Sequence, residues 1–486
     1  MCMKFRINIL NCMLLLIGFS SCNDFLEESS QDEVRPSTVD ELMQLMVGEV
    51  FPMNGQTCVY LDLLTDDVDC NGDQGFDQFV LQVRRARYIY AWEEEMYEQL
   101  EGMNGTASWA DFYARIMGCN TILGCLDRVE GSELAKANLK GQALVFRAWS
   151  YFFLVNLYGQ PYTVGNPKEN LGVPLKLEME VSDGFFERNT VAEVYAQIEK
   201  DLLEGEKLLD ENKIEMSIYK ASPLMAKALL SRMYLYMGNW DKAIDYANAV
   251  LEEKSTLISL AAGSKIYAWN NTDEIIWQYG DLREITGFFN TVGIYGLLAP
   301  FCVSSSLVDS YDAEDLRLNM NHFRGINTST WQMYYLSGYK GDEKAGATKG
   351  IRTAEMYLNR AESYIQKYIK EGKDEYRKAA LADMNTLREY RFETPYTKIE
   401  DRADIDISTP EKLYEFYKNE RRREFDFEDH RWFDLRRMGM PKIEHKFPMG
   451  NNEIVTYTLE DNSPRYVLPI PKSAIQRNPY LVQNPR

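Results

Sequence analysis

Ser222–Glu253 reads SPLMAKALLSRMYLYMGNWDKAIDYANAVLEE. Leu230, Ser231 and Tyr234 lie on one side of Gly238, and Trp240, Ala243, Ala247 and Val250 on the other. Steps of three and four residues place each set on one helical face. Gly238 breaks the run, so the stretch predicts two helices joined by a tight turn. Small residues let such helices approach, while Tyr234 and Trp240 fill the gap beside them. One such pair cannot bury its own apolar face, so several must stack.

The offsets match the tetratricopeptide pattern. A looser copy runs through Ala361, Tyr364, Tyr376 and Ala379, and a third pairs helix 142–158 with helix 190–209 across a long Gly- and Pro-rich loop. Further helices are expected at 108–130, 132–158, 350–371, 374–391 and 409–437, and Ser37 or Thr38 caps a helix entering at Val39. The fold class is therefore mainly α, a helical-repeat scaffold. The expected organisation is an N-terminal helical part over 38–255, an irregular part over 256–346 and a C-terminal helical part over 347–486. The irregular part is rich in Gly, Ser, Asn and Tyr, with a brief strand expected at Glu274–Tyr279. The tail from 440 reads as extended and Pro-punctuated.

At the other end, Lys4 and Arg6 precede an apolar run, Ile7 to Phe19, and then Ser20-Ser21-Cys22. That order is a secretory signal over 1–21, too short and interrupted to span a membrane. Cys22 is the expected lipidation site, since small residues before a Cys resemble the bacterial lipobox, in which the thiol receives a diacylglycerol. Residues 22–37 then form an acidic tether, and the lipid is the expected contact with the membrane. The chain has a formal net charge of −20. Removing the signal brings this to about −22, a surface that repels phosphate backbones and excludes nucleic acid as a partner. The remaining cysteines, at 58, 70, 119, 125 and 302, are odd in number and scattered, so they read as packing thiols.

The chemistry is sparse. Only three His occur, at 322, 430 and 445, and there is no phosphate loop and no nucleophile elbow. No cofactor and no catalytic residue are expected. The nearest approach to a metal loop is Asp67, Asp69, Asn71 and Asp73, which resembles the first half of a calcium loop. Its twelfth position is Gln78 rather than Glu, and the stretch reads as a plain acidic turn. The dense run Glu420–Arg437 carries Arg and carboxylates that form bidentate pairs locking it to its neighbours, with Glu424, Arg431 and Asp434 in structural roles. Aromatic rings in irregular segments are the binding candidates, because flat rings stack on sugar C–H faces while amides take hydroxyls. Trp331 leads, with Tyr295, Trp92, Tyr334 and Gln332; Tyr88, Tyr90, Trp269, Tyr335 and Tyr339 are further candidates. Trp149, Trp240 and Trp432 are expected in the core.

Two C-terminal stretches closely resemble the SusD/RagB family of Bacteroidetes outer-membrane lipoproteins: Glu420–Arg437, ERRREFDFEDHRWFDLRR, and Leu468-Pro469-Ile470-Pro471 with Asn478–Pro485. Ser21–Leu26, Phe146–Tyr151, Leu154–Gly159, Leu307–Tyr311 and Asp315–Arg317 agree. Asp429 stands where that family usually has Gly. The resemblance implies a non-enzymatic tetratricopeptide lid on a SusC-type TonB-dependent transporter. Such a lid captures glycans, or in RagB-like members peptides, at the exterior of the outer membrane.

Overall fold

The computed structural model describes residues 36–486 apart from 53–57, 72–76, 102–104, 181–183, 216, 280–299, 327–332, 337–339, 342–348 and 451–452. The chain enters through α1 (Val39–Leu45), where Thr38 accepts from the Glu41 backbone and Glu41 reaches back, a reciprocal cap. After β1 (Val68–Cys70) and α2 (Asp77–Tyr90) come the scaffold helices α3 (Ser108–Cys125), α4 (Glu133–Tyr158), α5 (Val191–Glu211), α6 (Pro223–Tyr236) and α7 (Trp240–Glu253). The irregular part carries β2 (Ile275–Tyr279), β3 (Phe301–Val303), β4 (Phe323–Ile326), β5 (Met333–Leu336) and β6 (Lys349–Arg352). Then follow α8 (Thr353–Glu371), α9 (Asp374–Glu389), α10 (Pro410–Glu424), α11 (Arg431–Arg437) and a hairpin of β7 (Ile443–Gly450) and β8 (Glu453–Leu459).

The three expected helical pairs form: α4 with α5, α6 with α7, and α8 with α9, stacked in a row as α5 meets α6 and α7 meets α8. Close approach is visible in atoms. A methyl group at Gly141 would sit 3.1 Å from the Gly205 carbonyl, and one at Gly205 3.0 Å from the Gly141 carbonyl. Only hydrogen fits between these backbones. In the second pair, Ser231 donates to the Ala243 carbonyl at 3.0 Å, and Ala243 and Ala247 are fully buried. Tyr234 is buried and stacks on Tyr246 at 5.6 Å. Trp149 and Trp432 are core residues, whereas Trp240 is only half-buried at the edge of the core.

Helix α4 is the axis of the molecule, buried from Gly141 to Tyr158 on every side. Its one buried charge in that stretch, Arg147, is paired with Asp201 at 2.8 Å, so a mostly apolar helix can sit inside. Its last carbonyls lack intrahelical partners and need donors from elsewhere. Leu468 N–H donates to Leu157 at 3.0 Å, and Arg188 and Asn484 side chains donate to Tyr158 at 2.8 and 2.9 Å. Arg436 donates to Gly159. The N- and C-terminal stretches that carry the family resemblance therefore meet at one helix end.

Three expectations are corrected, the first being the single helix expected over 409–437, which breaks after Glu424 and resumes at Arg431 as α10 and α11. The acidic turn is not a loop, because Val68–Cys70 pairs antiparallel with Phe301–Val303 as β1 and β3. The tail from 440 is not merely extended, because Ile443 to Gly450 folds back onto Glu453 to Leu459. Strand β2 is found where a brief strand was expected, paired antiparallel with β6.

Candidate functional site

The irregular segment is mounted on buried charge. Helix α10 ends at Glu424 and the chain turns through Phe427 and Asp429, both with positive φ, 58° and 62°. The turn thereby points four carboxylates at eight anchors, of which Arg352 and Lys340 are shared by two carboxylates each. Glu424 takes Arg317, Arg352 and Arg391 at 3.1, 2.8 and 2.9 Å. Asp426 takes His322 at 2.7 Å and Lys340 at 2.6 Å. Glu428 accepts from Tyr267, Arg352 and Lys340. Asp429 accepts from Lys349 at 2.7 Å and Tyr279 at 2.9 Å. Each of these anchors, apart from Arg391, lies between residues 267 and 352, so one turn holds both ends and the middle of the excursion.

The electrostatics follow from this packing. Burial alone would raise the Glu424 carboxyl, but the Arg391, Arg352 and Arg317 guanidiniums outweigh it and hold it well below the ordinary range. Asp426 behaves likewise under Lys340 and His322. His430 is buried against Phe425 at 4.5 Å, and burial followed by neighbouring cations keeps its imidazole neutral. Asp434 is shared by Arg421 and Arg437 at 2.8 and 2.7 Å, and Arg431 makes two 2.8 Å bonds to Asp66. Each of these carboxylates is engaged by an opposite charge, and His430 is held neutral.

Above this base the segment turns rings outward. Ala268 and Asn271 close a turn, with the Asn271 N–H donating to the Ala268 carbonyl at 3.3 Å. Trp269 and Asn270 form its tip, and the indole is 59% exposed. The turn is held from behind, because Tyr267 N–H donates to the Lys340 carbonyl at 3.0 Å and the Tyr267 hydroxyl to Glu428. The β4–β5 hairpin presents a second set. Tyr334 lies across from Gly325, where a methyl group would fall 2.5 Å from its ring, so glycine is what lets the ring lie flat on the strand. Phe323 and Met333 are exposed at 45% and 59%, and Arg324 sits 5.7 Å over the Tyr335 ring.

The sequence candidates divide sharply. Tyr334 is half-buried on the hairpin. Trp331 and Gln332 fall in the connection between β4 and β5, and Trp331, Gln332, Tyr295 and Tyr339 lie outside the described residues. Trp92 is a correction: it is 1% exposed, donates its indole N–H to Leu64 at 3.0 Å and stacks on His445 at 4.2 Å. Tyr90 is core for the same reason, stacked on the other side of that imidazole at 3.9 Å. Two carboxylates of the acidic turn are engaged by protein groups. Asp67 is 1% exposed and bound by Arg422 at 2.6 Å, and Asp69 accepts from Ser305 N–H at 2.8 Å. Asp73 lies outside the described residues, among which no cluster of three metal-binding side chains occurs. Trp269 ranked below Trp331 in sequence because nothing local marks which irregular ring reaches solvent.

Comparison with known proteins fits this architecture. Residues 24–235 match the family described as "Starch-binding associating with outer membrane", and residues 319–486 match the SusD family. SusD-like protein P2 of Formosa agariphila is 23% identical over 99% of both chains. SusD-like protein P25 of the same organism is 24% identical over 60% of this chain and 55% of its own length. Among solved structures, a putative sugar binding protein from Bacteroides vulgatus superposes with TM-score 0.71 at 23% identity, covering 93% of this chain and 99% of that one. A SusD superfamily protein from Bacteroides thetaiotaomicron also gives 0.71, at 22% identity over 92% and 100%. The sequence signatures, the stacked helical pairs and these matches converge: this chain belongs to the SusD/RagB family.

Proposed function

We propose that this protein is a surface lipoprotein that captures oligosaccharides and hands them to a SusC-type TonB-dependent transporter, without turning them over. The observation that carries the reading is the Trp269 turn, an exposed indole with an adjacent amide, fixed to a fully buried ion-pair base. A flat ring gains dispersion against a sugar face, and Asn270 can hold hydroxyls. Family membership and the similarity to a putative sugar binding protein support the ligand class. Trp331, Tyr295, Gln332 and Tyr334 are proposed as further contacts.

The test is Trp269→Ala, measured by calorimetry on the glycan selected from an array. Affinity should fall by about 1–3 kcal/mol, by analogy with base–aromatic stacking, with the circular dichroism spectrum unchanged. Unchanged affinity would remove Trp269 from the site. Binding of peptides but no glycan would favour the RagB-like alternative, and release of reducing sugar from a bound glycan would contradict the binding-only role.

Attachment is proposed through the lipid on Cys22, with the body facing the cell exterior. Among the described residues, no helix is long and apolar enough to cross a membrane.

A further inference from the structure

Within the buried charge, one lysine stands between two carboxylates. Lys340 Nζ lies 2.6 Å from Asp426 Oδ1, 2.7 Å from Glu428 Oε1 and 2.9 Å from the Glu424 carbonyl. All three side chains are out of water: Lys340 is 3% exposed, Asp426 0% and Glu428 2%. The two carboxylates meet the nitrogen differently. Glu428 accepts a hydrogen bond from it. Asp426 Oδ1 has no hydrogen-bond partner although the nitrogen is 2.6 Å away. Amine and carboxyl therefore touch without an N–H aimed along a lone pair. Lys349, at 2.7 Å from Asp429, makes an ordinary hydrogen bond instead.

The surroundings suit a reaction between these two groups. Desolvation favours the neutral amine over the ammonium, and the neutral amine is the nucleophile. Glu428 is within the reach of a general base. On the far side of the carboxyl, His322 Nε2 stands 2.7 Å from Asp426 Oδ2, and the Tyr311 hydroxyl donates to that oxygen at 3.3 Å. Both face the atom on which negative charge gathers when the carboxyl carbon is attacked. The backbone fixes the approach. Tyr267 N–H holds the Lys340 carbonyl at 3.0 Å, and the left-handed Phe427 sets the turn beside Asp426. Holding both reactants in contact removes most of the entropy cost of their meeting.

We propose that Lys340 and Asp426 are a modification site at which the chain closes an intramolecular amide, tying the irregular segment covalently to the turn after α10. Glu428 takes a proton from the ammonium, and Nζ attacks Cγ. The nitrogen then gives up a second proton. One carboxyl oxygen leaves with these two protons as water, and Glu428 is restored. A C–N bond forms and a C–O bond breaks. Ammonium and carboxylate become amide and water, with no change in net charge and no co-reactant. The ion pair is the arrangement before the bond closes. Condensation replaces two desolvated charges by a neutral amide and releases the water to solvent.

The experiment is peptide mass spectrometry of the full chain, purified folded and digested with trypsin. The expected product is a branched peptide in which the chain is uncut after Lys340 and joined through Asp426 to the peptide 424–431. Its mass should be lower than the sum of its two arms by one water. In Lys340→Arg the branch should vanish and the peptide 424–431 should carry its full mass. Glu428→Gln should lower the joined fraction about tenfold or more at equal times after folding, with the circular dichroism spectrum unchanged. Recovery of only the two linear peptides from wild-type protein would overturn the proposal, and that result is read whether or not the variants fold. A peptide 424–431 still lacking one water in Lys340→Arg would mean a cyclised aspartate and would overturn it as well. Undiminished joining in Glu428→Gln would overturn the role of Glu428 as the base.

Discussion

Asp429 shows how a single position can carry two opposed costs. Its backbone is left-handed, φ 62°, where glycine is free of strain and other residues lose about 1 kcal/mol. Its carboxylate meets the buried Lys349 and the Tyr279 hydroxyl, and removing one member of a buried pair typically costs about 3–5 kcal/mol. The charge outweighs the backbone, which accounts for an Asp where the related family usually has Gly. Asp429→Gly should therefore destabilise the protein by about 2–3 kcal/mol net in urea unfolding, and Lys349→Met in the same chain should recover much of the loss. A stabilised Asp429→Gly would mean that the strain dominates. Glu424 is a stronger case, because three guanidiniums converge on it. Glu424→Ala should cost about 3–5 kcal/mol or prevent folding; a melting temperature unchanged from wild type would contradict its structural role.

At the scale of elements, the helices were legible and the partners were not. Ser231, Ala243 and Ala247 announce a close helical pair through spacing alone, and the structure has that pair. The pairing of Gly141 with Gly205 depends on two helices separated by a long loop, which no local pattern registers. Replacing Gly205 by Leu should overpack that seam and cost about 1–3 kcal/mol or more, read as a lowered melting temperature; Gly48→Ala, where a methyl group meets nothing within 4 Å and the backbone is not left-handed, is a control for general glycine effects. The β7–β8 hairpin did leave a signal. Ile443, His445 and Phe447 alternate with Glu444 and Lys446, and the first set is buried. Pro448 and the short period masked it. Trp92 was misread because what buries it, His445, arrives more than three hundred residues later. The Arg- and Glu-rich signature read correctly as ion pairs, but sequence could not say that its partners would be Arg317, Lys340, Lys349 and Arg352. Nor could it say that the same pairs would brace the candidate ligand face.

At the scale of the whole molecule, the buried carboxylates set the response to acid. Burial pushes Glu420, Glu424 and Asp426 up, and facing cations push them further down, to a net position below the ordinary carboxylate range. A depressed folded-state pKa contributes stability that is complete above the unfolded value, near pH 4, and is lost as pH falls through the folded one. The stability that these carboxylates supply should hold down to about pH 5 and be lost below pH 4, while His430 and His445, kept neutral by burial, withdraw stability from about pH 6.5 downward, where the unfolded chain takes up their protons. Glu424→Gln, if it folds, should flatten that acid limb. A melting temperature unchanged down to about pH 3 would contradict this account. Attachment is also a property of the whole chain. Cys22→Ala should release the protein from the membrane fraction of cells lacking the transporter, and retention there would refute the lipid anchor.

The capping of α4 also imposes an order in time. The carbonyls at the end of this central helix wait for Leu468 and Asn484, and Asp67 waits for Arg422, 355 residues further along. A chain emerging N-terminus first can form its local helices at once, but it cannot complete its interior until the final residues appear. Contacts of such sequence separation are slow to close. The leading half must therefore stay uncommitted while the rest follows, the state in which a polypeptide can still be threaded across a membrane.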